Sequence, residues 1–273
     1  MTTTIDYTAG GPLTDLSAVG RGAFDDLPED AVEICRLTHR LVIQPHDAGR
    51  LELPPGRFGE NQIRPAADLV NRLLDLDPSP LTTPRPPERR VVGTCRHFAV
   101  LTCALLRHRG IAARARCGFA TYFQPGLGLD HWVIEFSVDG TSWVRADPEA
   151  MGLTVLSNPE ALVPGQFLTG GEAWSEFRAG NIDPAKFGVW GTENFGPAEI
   201  RGNAIRDLAA LNRVETLPWD EWGRMEASYQ GHTGADYDTL IDTIATTCAS
   251  DDPEDVATLY QSEDLEVPPA LTI

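Results

Sequence analysis

Residues 91–151 read VVGTCRHFAVLTCALLRHRGIAARARCGFATYFQPGLGLDHWVIEFSVDGTSWVRADPEAM. Thr94 suits a helix N-cap, where a hydroxyl accepts from a first-turn N–H. Cys95, Phe98, Ala99, Thr102, Cys103 and Leu106 then recur at helical spacing as a stripe of small and apolar side chains. Arg107, His108 and Arg109 put positive charge in the last turn, where the helix dipole favours it. Gly110 suits the left-handed residue that ends a helix. The segment therefore predicts a helix with Cys95 in its first turn. Partial positive charge at that end lowers a thiol's pKa and favours the thiolate. Taken alone, such a cysteine is more often a small buried hydrophobe. Its neighbours change that reading.

After Gly110, Ile111, Ala113, Ala115, Cys117 and Phe119 alternate with Ala112, Arg114, Arg116 and Gly118, predicting a strand apolar on one face and basic on the other. A Pro/Gly loop spans Gln124 to Asp130. Then Trp132, Ile134, Phe136 and Val138 alternate with His131, Val133, Glu135 and Ser137, Asp139-Gly140 marks a hairpin, and residues 142–147 return as a strand. A two-residue turn would pair Val138 with Thr141 and put His131 and Asp147 on opposite faces. A three-residue loop with Gly140 left-handed pairs Ser137 with Thr141 and sets His131 directly opposite Asp147. The second register is expected, because it orients the imidazole with the carboxylate.

These three side chains make an acyl-transfer site. The Cys95 thiolate attacks a carbonyl carbon. His131 holds the thiol proton and later delivers it to the leaving group, and Asp147 fixes the ring's tautomer and stabilises the imidazolium. The backbone N–H of Cys95 supplies one oxyanion donor. Asn61 or Gln62 is the candidate for a second, on side-chain chemistry and upstream position.

The segment GTCRHFAVLTCALLRHRGIAARARCGF resembles the cysteine segment of the transglutaminase-like superfamily. DHWVIEF and SWVRADP resemble its histidine and aspartate segments, each with a tryptophan close by. The spacing from Cys95 to His131 is 36 and from His131 to Asp147 is 16, which suits that family. The resemblance implies that Cys95 is the nucleophile, His131 the base and Asp147 the orienting acid. It also implies an α+β fold: a papain-like, transglutaminase-like core with the cysteine helix packed on an antiparallel sheet, and further helices before and after it. Members include cross-linkers, proteases, peptide N-glycanases, amide-forming enzymes and some that have lost activity. Arylamine N-acetyltransferases share the Cys-His-Asp order, but their Arg-Gly-Gly-x-Cys segment is replaced here by Val92-Gly93-Thr94-Cys95.

The chain has 273 residues, 42% hydrophobic and 23% charged, enough for a sizeable core. Its net charge of −18 argues against nucleic acid or an anionic membrane as partner. Arginines gather around the core motif (Arg85, Arg89, Arg90, Arg96, Arg107, Arg109, Arg114, Arg116). They read as ion-pair and helix-end residues, with an anionic substrate as the lesser alternative. Five widely spaced cysteines contain no CxxC pair, so neither a zinc ribbon nor a disulfide framework is indicated. Cys95 and His97, two apart on a helix, point to different faces and are not a metal pair. No calcium-loop pattern occurs either. No metal or cofactor is expected. The N-terminus lacks the regions of a signal peptide and no apolar run reaches transmembrane length, so a cytoplasmic protein is expected.

Three segments are expected within one compact domain: 1–90, 91–151 and 152–273. Residues 1–24 read as a loosely held arm. A helix follows Asp30 with Ala31, Ile34, Cys35, Thr38, Leu41 and Val42 as its stripe, bounded by Pro45. His39 and His46 read as surface or capping residues. Residues 47–63 form a loop able to reach the site mouth, and a helix carrying Ala66, Leu69, Val70, Leu73 and Leu74 stops before Asp77-Pro78. Residues 79–90 are extended and proline-rich. After Asp147 the chain is irregular, with a short helix near 172–179. Trp174, Phe177, Phe187, Trp190 and Phe195 suit either a substrate-pocket wall or a satellite core under long loops. Gln62, Trp132, Trp174 and Trp190 are the candidate substrate-binding residues. Helices return from Ala198, from Pro218, around Tyr237–Ile244, and over 255–260.

The expected function is cysteine-dependent acyl transfer from a peptide or small-molecule amide, ester or thioester to water or an amine. The alternative is a non-catalytic binding or scaffold protein that retains the fold. The sequence carries no signal of oligomeric state.

Overall fold

The computed structural model of the protein describes residues 5–137, 139–262 and 264–273. Residues 1–4, where the expected arm begins, and Val138, expected in the second strand, lie outside the described residues. The elements in order are α1 (Ala31–His39), β1 (Val42–Ile43), α2 (Pro45–Arg50), α3 (Ala66–Leu76), β2 (Val91–Val92), α4 (Cys95–His108), β3 (Ala112–Ala120), β4 (Gly128–Ser137) and β5 (Val144–Ala146). There follow β6 (Phe167–Thr169), α5 (Gly170–Arg178), β7 (Phe187–Gly188), α6 (Pro197–Leu211), α7 (Gly223–Tyr229), α8 (Ala235–Ser250) and α9 (Pro253–Tyr260). The larger sheet runs β5-β4-β3-β6, with β7 on β4. Its β4–β5 and β3–β6 pairings are antiparallel, and β7 is parallel to β4. The α+β class and the antiparallel sheet are as expected.

The chain forms two units, Tyr7–Arg114 with Val133–Leu162, and Ala115–Trp132 with Val163–Leu271, apart from short terminal segments. It passes between them inside β3, inside β4 and after Leu162.

In the first unit, α1 and α3 pack on α4. Asp30 caps α1 by accepting from the Glu33 N–H at 3.0 Å. The helix stops sooner than its apolar pattern predicts: Leu41 and Val42 leave it because β1 pairs in parallel with β2, Val42 opposite Val91. Leu41 and Ile43 carbonyls accept from Val91 and Gly93, so their apolar side chains serve a strand and its approach. Pro45 then begins α2 instead of only ending α1. The arm over residues 5–24 is packed, not loose. Leu13 is fully buried, Ala66 N–H donates to its carbonyl at 2.8 Å, and Ala113 N–H donates to Tyr7 O at 3.1 Å. Glycines and polar residues masked the spaced Tyr7, Leu13, Leu16 and Val19, all of which are buried.

In the second unit, α5, α6 and α8 pack on one another, with α7 and α9 against α6 and α9 also against α8. Their core includes Trp174, Ile200, Leu208, Met225, Ile241 and Ile244. Thr169 and Glu172 cap α5 reciprocally: Thr169 N–H donates to Glu172 Oε2 at 2.7 Å and Glu172 N–H to Thr169 Oγ1 at 3.2 Å. The helix expected from Pro218 begins at Gly223 instead. Leu217 N–H donates to Asp220 Oδ2 at 2.8 Å, making Pro218-Trp219 part of a turn.

Strand β3 departs from its expected basic face. Arg114 and Arg116 are buried, each against a carboxylate. Arg114 Nε donates to Glu135 Oε2 at 2.8 Å in one unit. Arg116 Nε and Nη2 donate to the two oxygens of Asp207 at 2.9 and 2.8 Å in the other. Each arrangement satisfies a guanidinium that the sheet buries. Arg85, Arg89, Arg90, Arg96, Arg107 and Arg109 donate to backbone carbonyls, which fits their structural reading.

Candidate active site

Cys95 is the first residue of α4, as its spacing from Thr94 predicts. The chain reaches it through β2, which is pinned from two sides. Ile43 O accepts from Gly93, and the buried Glu60 takes Val92 N–H at 2.8 Å. Arg57 and Arg72 in turn hold the Glu60 carboxylate. The helix is buried from Cys95 to Arg107, well beyond a single stripe, and ends on Arg109 and left-handed Gly110 (φ +74°). At 8% exposure Cys95 retains some accessible surface, whereas Cys35, Cys103 and Cys117 have none. Burial, with Cys103 and Asp147 nearby, pushes the Cys35 thiol up, so it is held protonated and unreactive.

The helix cap has a part that the sequence reading missed. His97 Nδ1 accepts from the Thr94 N–H at 3.0 Å, and Nε2 lies 3.1 Å from Ile63 O. With Nδ1 accepting, the ring proton sits on Nε2 and donates to Ile63. His97 thus does the work of the glutamate in a Ser/Thr-x-x-Glu capping box, and the signal was the four-residue run Thr94-Cys95-Arg96-His97. Desolvation and the Arg96 charge beside it outweigh these bonds and leave the imidazole neutral, its pKa pushed down to about 3. The ring also explains the glycine two residues before the cysteine. A Cβ on Gly93 would stand 2.8 Å from His97 Cβ and Cγ and 3.1 Å from Val42 Cγ1.

Arg96 donates to Arg64 O at 2.7 Å, so residues 63 and 64 are tied to the first turn of the cysteine helix. Gln62, one candidate second oxyanion donor, is exposed and spends an amide N–H on Asn61 Oδ1 at 3.0 Å.

Asp147 is fully buried. Its Oδ1 accepts from Glu149 N–H at 2.8 Å and Ala150 N–H at 3.1 Å, closing a turn just past β5. His39, read from sequence as a surface or capping residue, supports the same turn: its Nδ1 is 2.9 Å from Glu149 O. The hairpin register differs from the one expected. Ile134 pairs with Ala146, Glu135 with Arg145 and Phe136 with Val144. The cause is a longer loop. Asp139 Oδ1 accepts from Thr141 N–H (2.9 Å) and Ser142 N–H (2.8 Å), which holds 139–142 out of the ladder. Gly140 is left-handed as expected (φ +74°), but it sits in this wider turn. The ladder ends at Ala146, where Asp147 N–H turns to Pro159 O at 2.7 Å.

His131 lies on β4 in the other unit and is 2% exposed. Three rings meet it edge-on: Phe123 at 5.0 Å, Tyr122 at 6.2 Å and Phe167 at 6.5 Å between centroids. Asp130, on the opposite face of the strand, is anchored by Asn203 Nδ2 at 2.7 Å. The same amide reaches Gly118 O at 3.1 Å and so ties α6 to both β3 and β4.

Residues 75–148 match the family model of the Transglutaminase-like superfamily. That segment is transglutaminase-like. The match spans Cys95, His131 and Asp147, so the transglutaminase-like core and the three candidate residues coincide in sequence. No curated protein matches the chain. Among solved structures it is similar to one from Cytophaga hutchinsonii described as "a Putative Cysteine Protease", with 18% identity and a TM-score of 0.36. The alignment covers 52% of this chain and 40% of that one.

The tryptophans fall into different roles. Trp132 is completely buried on the strand face opposite His131, and its indole N–H meets no acceptor among the described residues. Trp174 is a core residue of the second unit. Its indole donates to Asp242 at 2.7 Å and Arg178 and Arg201 lie over its ring, so the satellite-core reading describes it and the pocket-wall reading does not. Phe187 packs in the same core. Trp190 is 64% exposed. Two of the three aromatic rings around His131 come from the loop before it, which the sequence reading treated as a connection, and the third, Phe167, from β6. Tyr122-Phe123 immediately ahead of Gln124-Pro125-Gly126 was the available signal.

Proposed function

We propose that the protein is a cysteine-dependent acyl-transfer enzyme in which Cys95 is the nucleophile, His131 the general acid–base and Asp147 the residue that orients the imidazole. The observation that carries this reading is the transglutaminase-like match over 75–148, which takes in all three residues in the order that chemistry needs. Local structure supports it. Cys95 opens a buried, capped helix, His131 is buried among aromatic rings, and Asp147 is buried with two N–H donors on one oxygen. In the reaction, the thiolate adds to the carbonyl carbon of an amide, ester or thioester. The amine, alcohol or thiol leaves with a proton from His131. Water or an amine, deprotonated by the same imidazole, then releases the acyl group and regenerates the thiol. The acyl donor is a peptide or a small molecule.

The test is turnover of a panel of p-nitrophenyl esters, thioesters and peptide amides. Cys95→Ala and His131→Ala abolish it. Asp147→Asn lowers kcat by roughly 10³–10⁴, because the ring loses its tautomer partner. Equal turnover by wild type and Cys95→Ala would overturn the proposal, and a wild type that turns over no member of the panel would leave a non-catalytic binding protein.

A further inference from the structure

We propose that Tyr122 and Phe123 form the wall of an acyl pocket, and that the preferred donors carry an aromatic or large aliphatic group beside the reacting carbonyl. The inference rests on the reading of Cys95 and His131 as the catalytic pair.

Four rings make a cluster in which burial is unequal. His131 and Phe167 are each 2% exposed, whereas Tyr122 and Phe123 are only partly buried. Their rings lie 4.7 Å apart, and both stand nearly perpendicular to the imidazole, at 87° and 77°. The two aromatics therefore present their remaining surface next to the group that moves the proton. Phe167 backs the imidazole from β6, where it pairs with Ala120.

The loop is anchored rather than free to fold away. Thr121 N–H donates to Gln166 O at 3.0 Å, Thr121 Oγ1 to Gly165 O at 2.7 Å, and Leu127 N–H to Gln124 O at 3.1 Å. Its sequence from Thr121 to Leu127, TYFQPGL, carries no charge in a chain of net charge −18. A charged acyl group would lose water against this uncharged stretch, whereas an apolar one buries surface against two rings at about 25 cal/mol per Å². Aromatic groups gain further from edge-on contact.

Two measurements test the wall. The first compares kcat/KM for p-nitrophenyl phenylacetate and p-nitrophenyl acetate in wild type, Phe123→Ala, Tyr122→Ala and Phe123→Leu. Wild type prefers the phenylacetate. The preference falls by about tenfold in either alanine variant, mainly through KM, and is partly restored by leucine. The second needs no turnover. Alkylation of Cys95 by N-benzyliodoacetamide and by iodoacetamide is followed by mass spectrometry in the same variants, with thermal melts as a check on folding. Wild type favours the benzyl reagent, and Phe123→Ala loses that bias. A wild type without preference in either assay, or a Phe123→Ala variant that slows both reagents equally, would overturn the wall. If no ester is turned over at all, the catalytic reading fails instead, and the reagent ratio still decides the wall.

Discussion

A neutral histidine in the first turn of α4 holds the cysteine where it is. His97 accepts from Thr94 and donates to Ile63, two bonds that an alanine would leave unmade in a fully buried place. His97→Ala is therefore expected to destabilise the fold by about 1–3 kcal/mol, read from urea denaturation. Its ionisation gives a pH signature. The folded pKa is about 3 and the unfolded value about 6.5, so between these limits the unfolded chain binds the extra proton. The stabilisation is complete above about pH 6.5 and is lost as pH falls towards 3, at up to about 1.4 kcal/mol per unit. His39, also lowered by burial, adds in the same direction. Denaturation at pH 7 and pH 4.5 checks this: His97→Asn is expected to flatten the wild-type slope. An unchanged slope would mean that other groups set it. At this scale the sequence revealed Cys95, Gly110 and Gly140 well, because caps and left-handed turns depend on neighbours in the chain. It hid His97, because histidine is not the usual residue of a capping box.

Among the elements, β3 shows why pattern alone gives a strand but not its surroundings. Alternating alanine and arginine predicts a strand, and the strand forms. Its arginine face turns inward because Glu135, 21 residues away, and Asp207, 91 residues away, supply carboxylates. No local pattern announces such partners. Removing one member of a buried pair strands the other, so Asp207→Asn is expected to cost roughly 3–5 kcal/mol, measured by chemical denaturation. The same strand passes so close to β6 at Gly118 that a Cβ there would stand 2.0 Å from Leu168 O and 2.6 Å from Thr169 Cα. Gly118→Ala is expected to destabilise by about 1–3 kcal/mol and to raise hydrogen exchange in residues 167–169. The register of the β4–β5 hairpin was misread for a related reason. Asp139, read only as half of a turn dipeptide, uses its carboxylate to hold the loop open. Likewise α1 loses Leu41 and Val42 to a parallel bridge whose partner lies far along the chain at Val91.

For the whole molecule, composition and motif order gave the class: α+β, with a cysteine helix followed by antiparallel strands. The later half yielded its helices to periodicity, but the division of the chain into units was not legible. The chain crosses between units within β3 and β4, two continuous strands with no linker-like composition. Among the described residues no helix is long and apolar enough to cross a membrane. The tryptophans show the limit of reading function from residue type. Trp174 was a plausible pocket residue and is core, while Tyr122 and Phe123 were overlooked in a loop and lie against His131.

The central claim is that Cys95 and His131 act as a thiolate–imidazolium pair. Its most direct test is the rate of Cys95 alkylation by iodoacetamide across roughly pH 5–9, site-resolved by mass spectrometry, in wild type and His131→Ala. The account predicts rapid modification well below the free-thiol pKa of about 8.5, lost in the variant. A Cys95 that reacts readily but titrates like a free thiol, with the same profile in both proteins, would contradict it.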